Sequence, residues 1–166
     1  YKDLVFTLAL RMLKNREEAE EVSQDTFIKT FKSLYKFKGD SKFSTWIYKI
    51  TYNTCLDRIK KISRTYNTVA IDEFTEHQVK TIDNALDNME QEERKQTIQD
   101  CLQLLPSEDS FLLTLFYFEE LSLDEISKTI GLTTNNVKVK LFRSRKKLSK
   151  ILKERLEPEI ISYYEE

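Results

Sequence analysis

The chain is poor in the residues that break or turn a backbone. Its 166 residues include only two glycines and two prolines, so tight turns and β-hairpins are poorly provided for. It has two cysteines, Cys55 and Cys101, too few for a disulfide framework and suited to a reducing compartment. With one histidine, His77, it cannot build a histidine-based metal cluster. No phosphate-binding glycine loop, nucleophile elbow, HExxH or CxxC motif occurs, so no cofactor, metal or catalytic site is expected. No apolar run approaches the roughly 20 residues that span a bilayer, so no membrane insertion is expected and a cytoplasmic location is. The chain opens mid-pattern at Tyr1, which points to an upstream segment that is absent here.

What is present is helical. Leu, Lys, Glu and Ile dominate, and the expected fold is all-α. Leu4, Val5, Leu8 and Met12 recur at helical spacing from Tyr1 to about Lys14. A second helix is expected over about Glu17–Tyr35, burying Ala19, Val22, Phe27, Phe31 and Leu34. Its acidic first turns suit the positive end of the helix dipole. A loop around Gly39 follows, then a third helix capped by Ser44 and running to about Ser63. Thr97–Leu105 reads as a helix stopped by Pro106, and Ser107 as the cap of the next, through about Phe118. Ser122-Leu-Asp-Glu125 is a capping box. It opens a short helix carrying Ile126 and Ile130, ended by Gly131. Thr133 or Thr134 then caps a longer helix that buries Val137, Leu141, Leu148 and Leu152. A short helix, a glycine turn and a basic second helix make a helix-turn-helix.

The formal net charge of −1 hides strong segregation. Residues 17–25 hold five acids and no base, whereas 29–64 hold ten bases against Asp40 and Asp57. Residues 72–100 carry a net −6, and 131–153 hold eight bases and no acid. Each basic block is either a solvated helix face or a surface that neutralises phosphates. The division expected is 1–63, an acidic linker over 64–95, a helix-turn-helix domain over 96–156 and a tail over 157–166.

On the third helix, Trp46, Lys49, Asn53, Asp57, Lys60 and Arg64 fall three or four residues apart and form one stripe. An amide and a carboxylate one turn apart, flanked by lysines, suit base-edge contacts beside phosphate contacts. Trp46 is either a core residue or a ring on which a base stacks. On the last helix Asn135, Lys138, Val139, Phe142, Arg143 and Lys146 project away from the apolar face, as a recognition helix requires. Phe142 would suit a thymine methyl.

Two stretches carry a family resemblance. The first is Glu18-Ala-Glu-Glu-Val-Ser-Gln-Asp-Thr-Phe-Ile-Lys-Thr-Phe31 with Phe37-Lys-Gly-Asp-Ser-Lys-Phe-Ser-Thr-Trp-Ile-Tyr-Lys-Ile-Thr-Tyr-Asn53. The second is Leu104-Leu-Pro106, Leu121-Ser-Leu-Asp-Glu-Ile126 and Gly131-Leu-Thr-Thr-Asn-Asn-Val-Lys-Val-Lys-Leu-Phe-Arg-Ser-Arg-Lys-Lys-Leu148. They resemble regions 2 and 4 of extracytoplasmic-function (ECF) sigma factors, the two-domain group of the bacterial sigma-70 family. The resemblance implies a non-enzymatic initiation factor for core RNA polymerase. Region 2 would hold the −10 element as melted strand, using Lys29, Phe37, Lys38, Lys42, Phe43, Trp46, Lys49, Asn53, Asp57 and Lys60. Glu21, Gln24 and Asp25 would dock on the β′ clamp helices. Region 4 would read −35 duplex through Thr133, Thr134, Asn135, Asn136, Lys138, Val139, Phe142, Arg143 and Lys146, and sit on the β flap. An anti-sigma factor is the further partner implied. The sequence departs from the family at Asp57, a charge where an amide is usual, at Val139, and at the pair Asn135-Asn136. A stand-alone helix-turn-helix regulator accounts for residues 107–153 but leaves Phe37–Asn53 unexplained. A helical adaptor without DNA contact is the reading from another class.

Overall fold

A computed structural model describes residues 1–63 and 91–155. Seven α-helices run through them: α1 (Lys2–Leu13), α2 (Arg16–Ser33), α3 (Phe43–Ser63), α4 (Gln91–Leu104), α5 (Ser107–Tyr117), α6 (Leu123–Ile130) and α7 (Thr134–Arg155). A single 3-10 turn, Leu34–Lys36, extends α2. Of the linker expected over 64–95, residues 64–90 lie outside the described residues, as does the tail beyond Arg155. At the linker's other edge, the helix expected from Thr97 already starts at Gln91.

Local chemistry explains most boundaries. Lys14 ends α1 in the left-handed conformation, its N–H donating to the Leu10 carbonyl. Asn15 caps α2, its side chain accepting from the Glu18 N–H at 3.0 Å, a contact worth about 1 kcal/mol. Two expected caps shift toward the N-terminus, the first by two residues and the second by one. α3 begins at Phe43, with the Trp46 N–H donating to the Lys42 carbonyl, so Ser44 lies inside the first turn. Pro106 occupies the cap of α5 and Ser107 is its first helical residue. Proline fits there because its fixed φ suits a helix entry and a missing N–H costs nothing.

The expected buried face of α2 is wrong at two positions. Phe31 is 74% exposed and Leu34 46% exposed, while Ala19, Val22, Ser23, Thr26 and Thr30 face inward. Those five fall at helical spacing, and their small side chains let α1 and α3 pack close. Ser23 and Thr30 satisfy their hydroxyls on the carbonyls of Ala19 and Thr26, so their burial leaves no orphan donor.

The two halves share one apolar cluster. Val5, Leu8 and Met12 of α1 and Ile47, Tyr48 and Cys55 of α3 join Phe111, Leu112 and Leu115 of α5 and Ile126 of α6. α1 lies against α5 and α3 against α6. Polar contacts run along the same seam. Arg11 donates to the Gln99 carbonyl at 2.7 Å, Lys14 donates to the Leu105 carbonyl, and the Tyr48 hydroxyl donates to Glu119 at 2.9 Å. Tyr52 and Phe111 stack with centroids 5.0 Å apart. No helix among the described residues is long and apolar enough to cross a membrane.

Candidate nucleic-acid interface

α3 presents its polar stripe to solvent because its apolar residues use the opposite side. Ile47, Tyr48, Thr51, Tyr52 and Cys55 are buried, and Lys49, Asn53, Asp57 and Lys60 are exposed between them. Burial pushes the Cys55 thiol up to about 12, which keeps it an inert core residue. At the head of the stripe four rings gather. Phe37 lies 5.2 Å from Trp46 and 5.4 Å from Phe43, Phe43 lies 5.5 Å from Trp46, and Tyr1 lies 5.4 Å from Phe43. Trp46 is half-buried in this cluster, so it both packs and shows an edge. The loop folds over the rings through Gly39, whose φ of +79 is a conformation other residues rarely adopt.

Lys29, from α2, reaches across to the stripe. Its ammonium donates to the Thr54 hydroxyl at 3.1 Å and stands 3.9 Å from the Asp57 carboxylate. Asp57 is therefore loosely ion-paired with Lys29 while its side chain stays 70% exposed. Arg58 turns the other way, bridging Glu18 and Glu21 of α2, and hydrogen bonding to Glu18 leads in holding its guanidinium charged. Glu21 is thus partly engaged, whereas Gln24 and Asp25 are exposed. Beside them Ile28, Phe31 and Tyr35 make an exposed apolar strip at 51%, 74% and 81%. The signal for that strip was the run of small residues on the inner face, whose Thr and Ser rank low in hydropathy yet suit close packing.

The helix-turn-helix is formed by α6 and α7. Ser122 accepts from the Glu125 N–H while the Glu125 carboxylate accepts from the Ser122 N–H, completing the capping box. Gly131 ends α6 at φ +72. Of the two candidate caps of α7, Thr133 accepts from the Asn136 N–H at 3.3 Å, and Thr134 donates to Asp124 at 2.9 Å, tying the two helices. Val137, Leu141, Ser144, Leu148 and Leu152 face inward. Asn135, Asn136, Lys138, Val139, Phe142 and Arg143 face out. The Lys146 ammonium lies over the Phe142 ring at 4.8 Å.

Not every base of α7 points outward. Lys147 pairs with Asp109 at 2.6 Å, and Ser144 donates to the same carboxylate at 2.5 Å. Lys140 bridges to Glu108. Arg145 stacks on Phe116 at 4.9 Å. These inner contacts, which charge counting did not single out, fix the roll of α7 on α5. A cleft of about 670 Å³ lies between α7 and α3, with Asn136, Val139 and Arg143 on one wall and Leu56 and Ile59 on the other. Lys42 of the Gly39 loop spans toward α6 and meets Glu125 at 2.9 Å. Among the described residues no cluster of side chains suits a metal ion.

Residues 1–65 match the family model for sigma-70 region 2, and residues 95–148 match that for sigma-70 region 4. The ECF RNA polymerase sigma factor SigW of Bacillus subtilis is 33% identical over 93% of this chain and 86% of its own. The chain belongs to the ECF sigma-factor family. The RNA polymerase sigma-H factor of Pseudomonas aeruginosa is 32% identical over 92% of this sigma factor and 82% of its own length. Among solved structures, the sigma factor RpoE bound to the anti-sigma factor NepR of Bartonella quintana shares the fold. It has a TM-score of 0.66 at 18% identity, over 92% of both chains. CnrH bound to the cytosolic domain of CnrY matches at 0.53 and 20%, over 92% of this sigma factor and 83% of that chain.

Proposed function

We propose that this sigma factor is a dissociable, non-catalytic subunit that brings core RNA polymerase to particular promoters and stabilises their melted −10 region. The observation that carries the reading is the pairing of two different nucleic-acid faces on one chain. One is a polar stripe headed by rings; the other is an exposed helix end flanked by cations. An unstacked base offers its edge to short polar side chains and its face to aromatics. On that ground Asn53 and Asp57 read bases, Phe37, Phe43 and Trp46 receive them, and Lys29, Lys38, Lys42, Lys49 and Lys60 take phosphates. A duplex instead admits a helix into its major groove. Thr133, Thr134, Asn135, Asn136, Lys138, Val139, Phe142, Arg143 and Lys146 are assigned to the −35 element.

Residues 1–63 act as region 2, 96–156 as region 4, with 64–95 as the linker and 157–166 as a tail. The strip formed by Glu21, Gln24, Asp25, Ile28, Phe31 and Tyr35 docks on the polymerase β′ clamp, because an exposed apolar patch rimmed by polar residues marks a protein-interaction site. Region 4 sits on the β flap. The protein works in the cytoplasm, where the polymerase is, and an anti-sigma factor holds it inactive, as the named partners of the two related structures suggest.

Run-off transcription tests the reading. Core polymerase with this protein, given a pool of randomised templates, should enrich templates sharing two short elements at a fixed spacing. Duplex binding without any transcription would favour a stand-alone helix-turn-helix regulator instead.

A further inference from the structure

We infer that Asp57 and Lys29 together read an unpaired guanine in the melted −10 strand, the carboxylate taking its N1–H and N2–H and the ammonium its O6. The inference rests on the assignment of α3 to the melted strand made above, and it moves Lys29 from phosphate to base.

The two groups come from different helices and are held side by side. Lys29, on α2, donates to the Thr54 hydroxyl at 3.1 Å, which draws its ammonium onto α3. The same hydroxyl donates onward to the Ile50 carbonyl at 2.8 Å, so its lone pair is turned to the lysine. The ammonium then stands 3.9 Å from Asp57 Oδ2. That separation is longer than a hydrogen bond, so neither group spends its capacity on the other. An ammonium has three donors, of which Thr54 takes one, and both carboxylate oxygens only accept. The side chains are 50% and 70% exposed, and Asn53 lies one turn before Asp57 on the same open face. A base laid against the stripe reaches all three.

One donor beside two acceptors has a single full match among the four bases. An unpaired base is read on its Watson–Crick edge. There guanine offers one acceptor, O6, followed by two adjacent donors, N1–H and N2–H. Thymine alternates acceptor, donor and acceptor, so one carboxylate oxygen would face a carbonyl. Cytosine and adenine set their one amino group beside a ring-nitrogen lone pair, which repels the second oxygen. Two parallel N–H donors on one carboxylate are the bidentate, charge-assisted arrangement that adds both strength and geometric selectivity. An amide at position 57 would turn its own NH2 against the guanine N2–H, donor against donor. The acid at Asp57 therefore selects the base, and Lys29 offsets its charge beside the phosphates.

The test uses holoenzyme, core polymerase with the whole chain, on templates randomised across the −10 element. The parent should enrich one position as guanine on the non-template strand. D57N should move that position toward adenine, whose adjacent donor and acceptor suit an amide. On a template melted in advance, replacing that guanine by inosine removes only the 2-amino group. Parent holoenzyme should then bind about ten-fold more weakly, in the lower half of the range for one bidentate contact because both groups are exposed. D57N holoenzyme should bind the two templates alike. K29M should bind both more weakly and keep the inosine penalty, since it loses only the O6 contact. A purely structural role of Asp57 would weaken all templates together and shift no base. The inference is overturned if the parent enriches no guanine, if D57N keeps the parent's preference, or if inosine costs both holoenzymes the same. If no −10 element emerges at all, the assignment of α3 to the melted strand falls and the guanine reading with it. A −10 element that depends on Asn53 but not on Asp57 removes the guanine reading alone.

Discussion

α3 and α7 are both long, basic helices, yet they deploy charge in opposite ways. On α7 the cations divide by face: Lys140, Arg145 and Lys147 turn inward to Glu108, the Phe116 ring and Asp109, leaving Lys138 and Arg143 exposed. On α3 the outward face is itself mixed, with Asp57 beside Lys29 at 3.9 Å, and rings rather than cations stand at its head. A helix meant for a duplex needs an even phosphate grip with few anions on the reading face. A surface meant for unpaired bases gains from rings and short polar groups and tolerates an acid. The comparison teaches that a count of basic residues does not measure a nucleic-acid interface, because the inward fraction is structural.

Substitutions can break that comparison, beginning with the largest effect. Asp109→Ala should leave every outward residue of α7 in place while removing the buried partner of Lys147 and Ser144. Losing one side of a buried pair costs about 3 kcal/mol, which urea unfolding would register. Arg143→Ala should do the reverse. It should weaken binding to a −35 duplex by roughly 1–3 kcal/mol, read by anisotropy, and leave the unfolding free energy within about 0.5 kcal/mol of the parent. If Arg143→Ala proves the more destabilising of the two, the division between inner and outer cations is wrong. Ser122→Ala should cost about 1 kcal/mol by removing the cap of α6, visible in the same unfolding experiment.

The smallest effect is one of pH. Lys42 first, and then the Ser122 N–H, hold the Glu125 carboxyl down to about 2, below the roughly 4.3 of a free glutamate. Its contribution to stability is therefore complete above the free value and is lost as pH falls toward about 2. Unfolding midpoints of the parent and E125Q should converge over that window and differ above it. A constant difference at all pH values would remove Glu125 from the seam.

Much of the architecture was legible in sequence. Ser122, Glu125 and Gly131 mark the ends of α6 by well-defined chemistry, and the stripe from Lys49 to Lys60 follows from helical periodicity alone. Three things were not. Hydropathy ranks Phe31 above Thr30, yet close packing of α2 prefers the threonine once its hydroxyl bonds to the Thr26 carbonyl. The shifts of one and two residues at Ser107 and Ser44 reflect competition among adjacent caps, which pattern does not resolve. The seam joins residues far apart in sequence, Lys42 with Glu125 and Tyr48 with Glu119, and no local pattern encodes such pairs.

The central claim is that one chain captures unpaired strand with α3 and reads duplex with α7. Permanganate reactivity of promoter thymines, measured with core polymerase and the variants Asn53→Ala and Arg143→Ala, tests it most directly. Asn53→Ala should keep duplex binding and lose reactivity in the −10 region. Arg143→Ala should lose duplex binding yet recover reactivity on a template melted in advance. Equal loss of both steps in both variants would contradict the account.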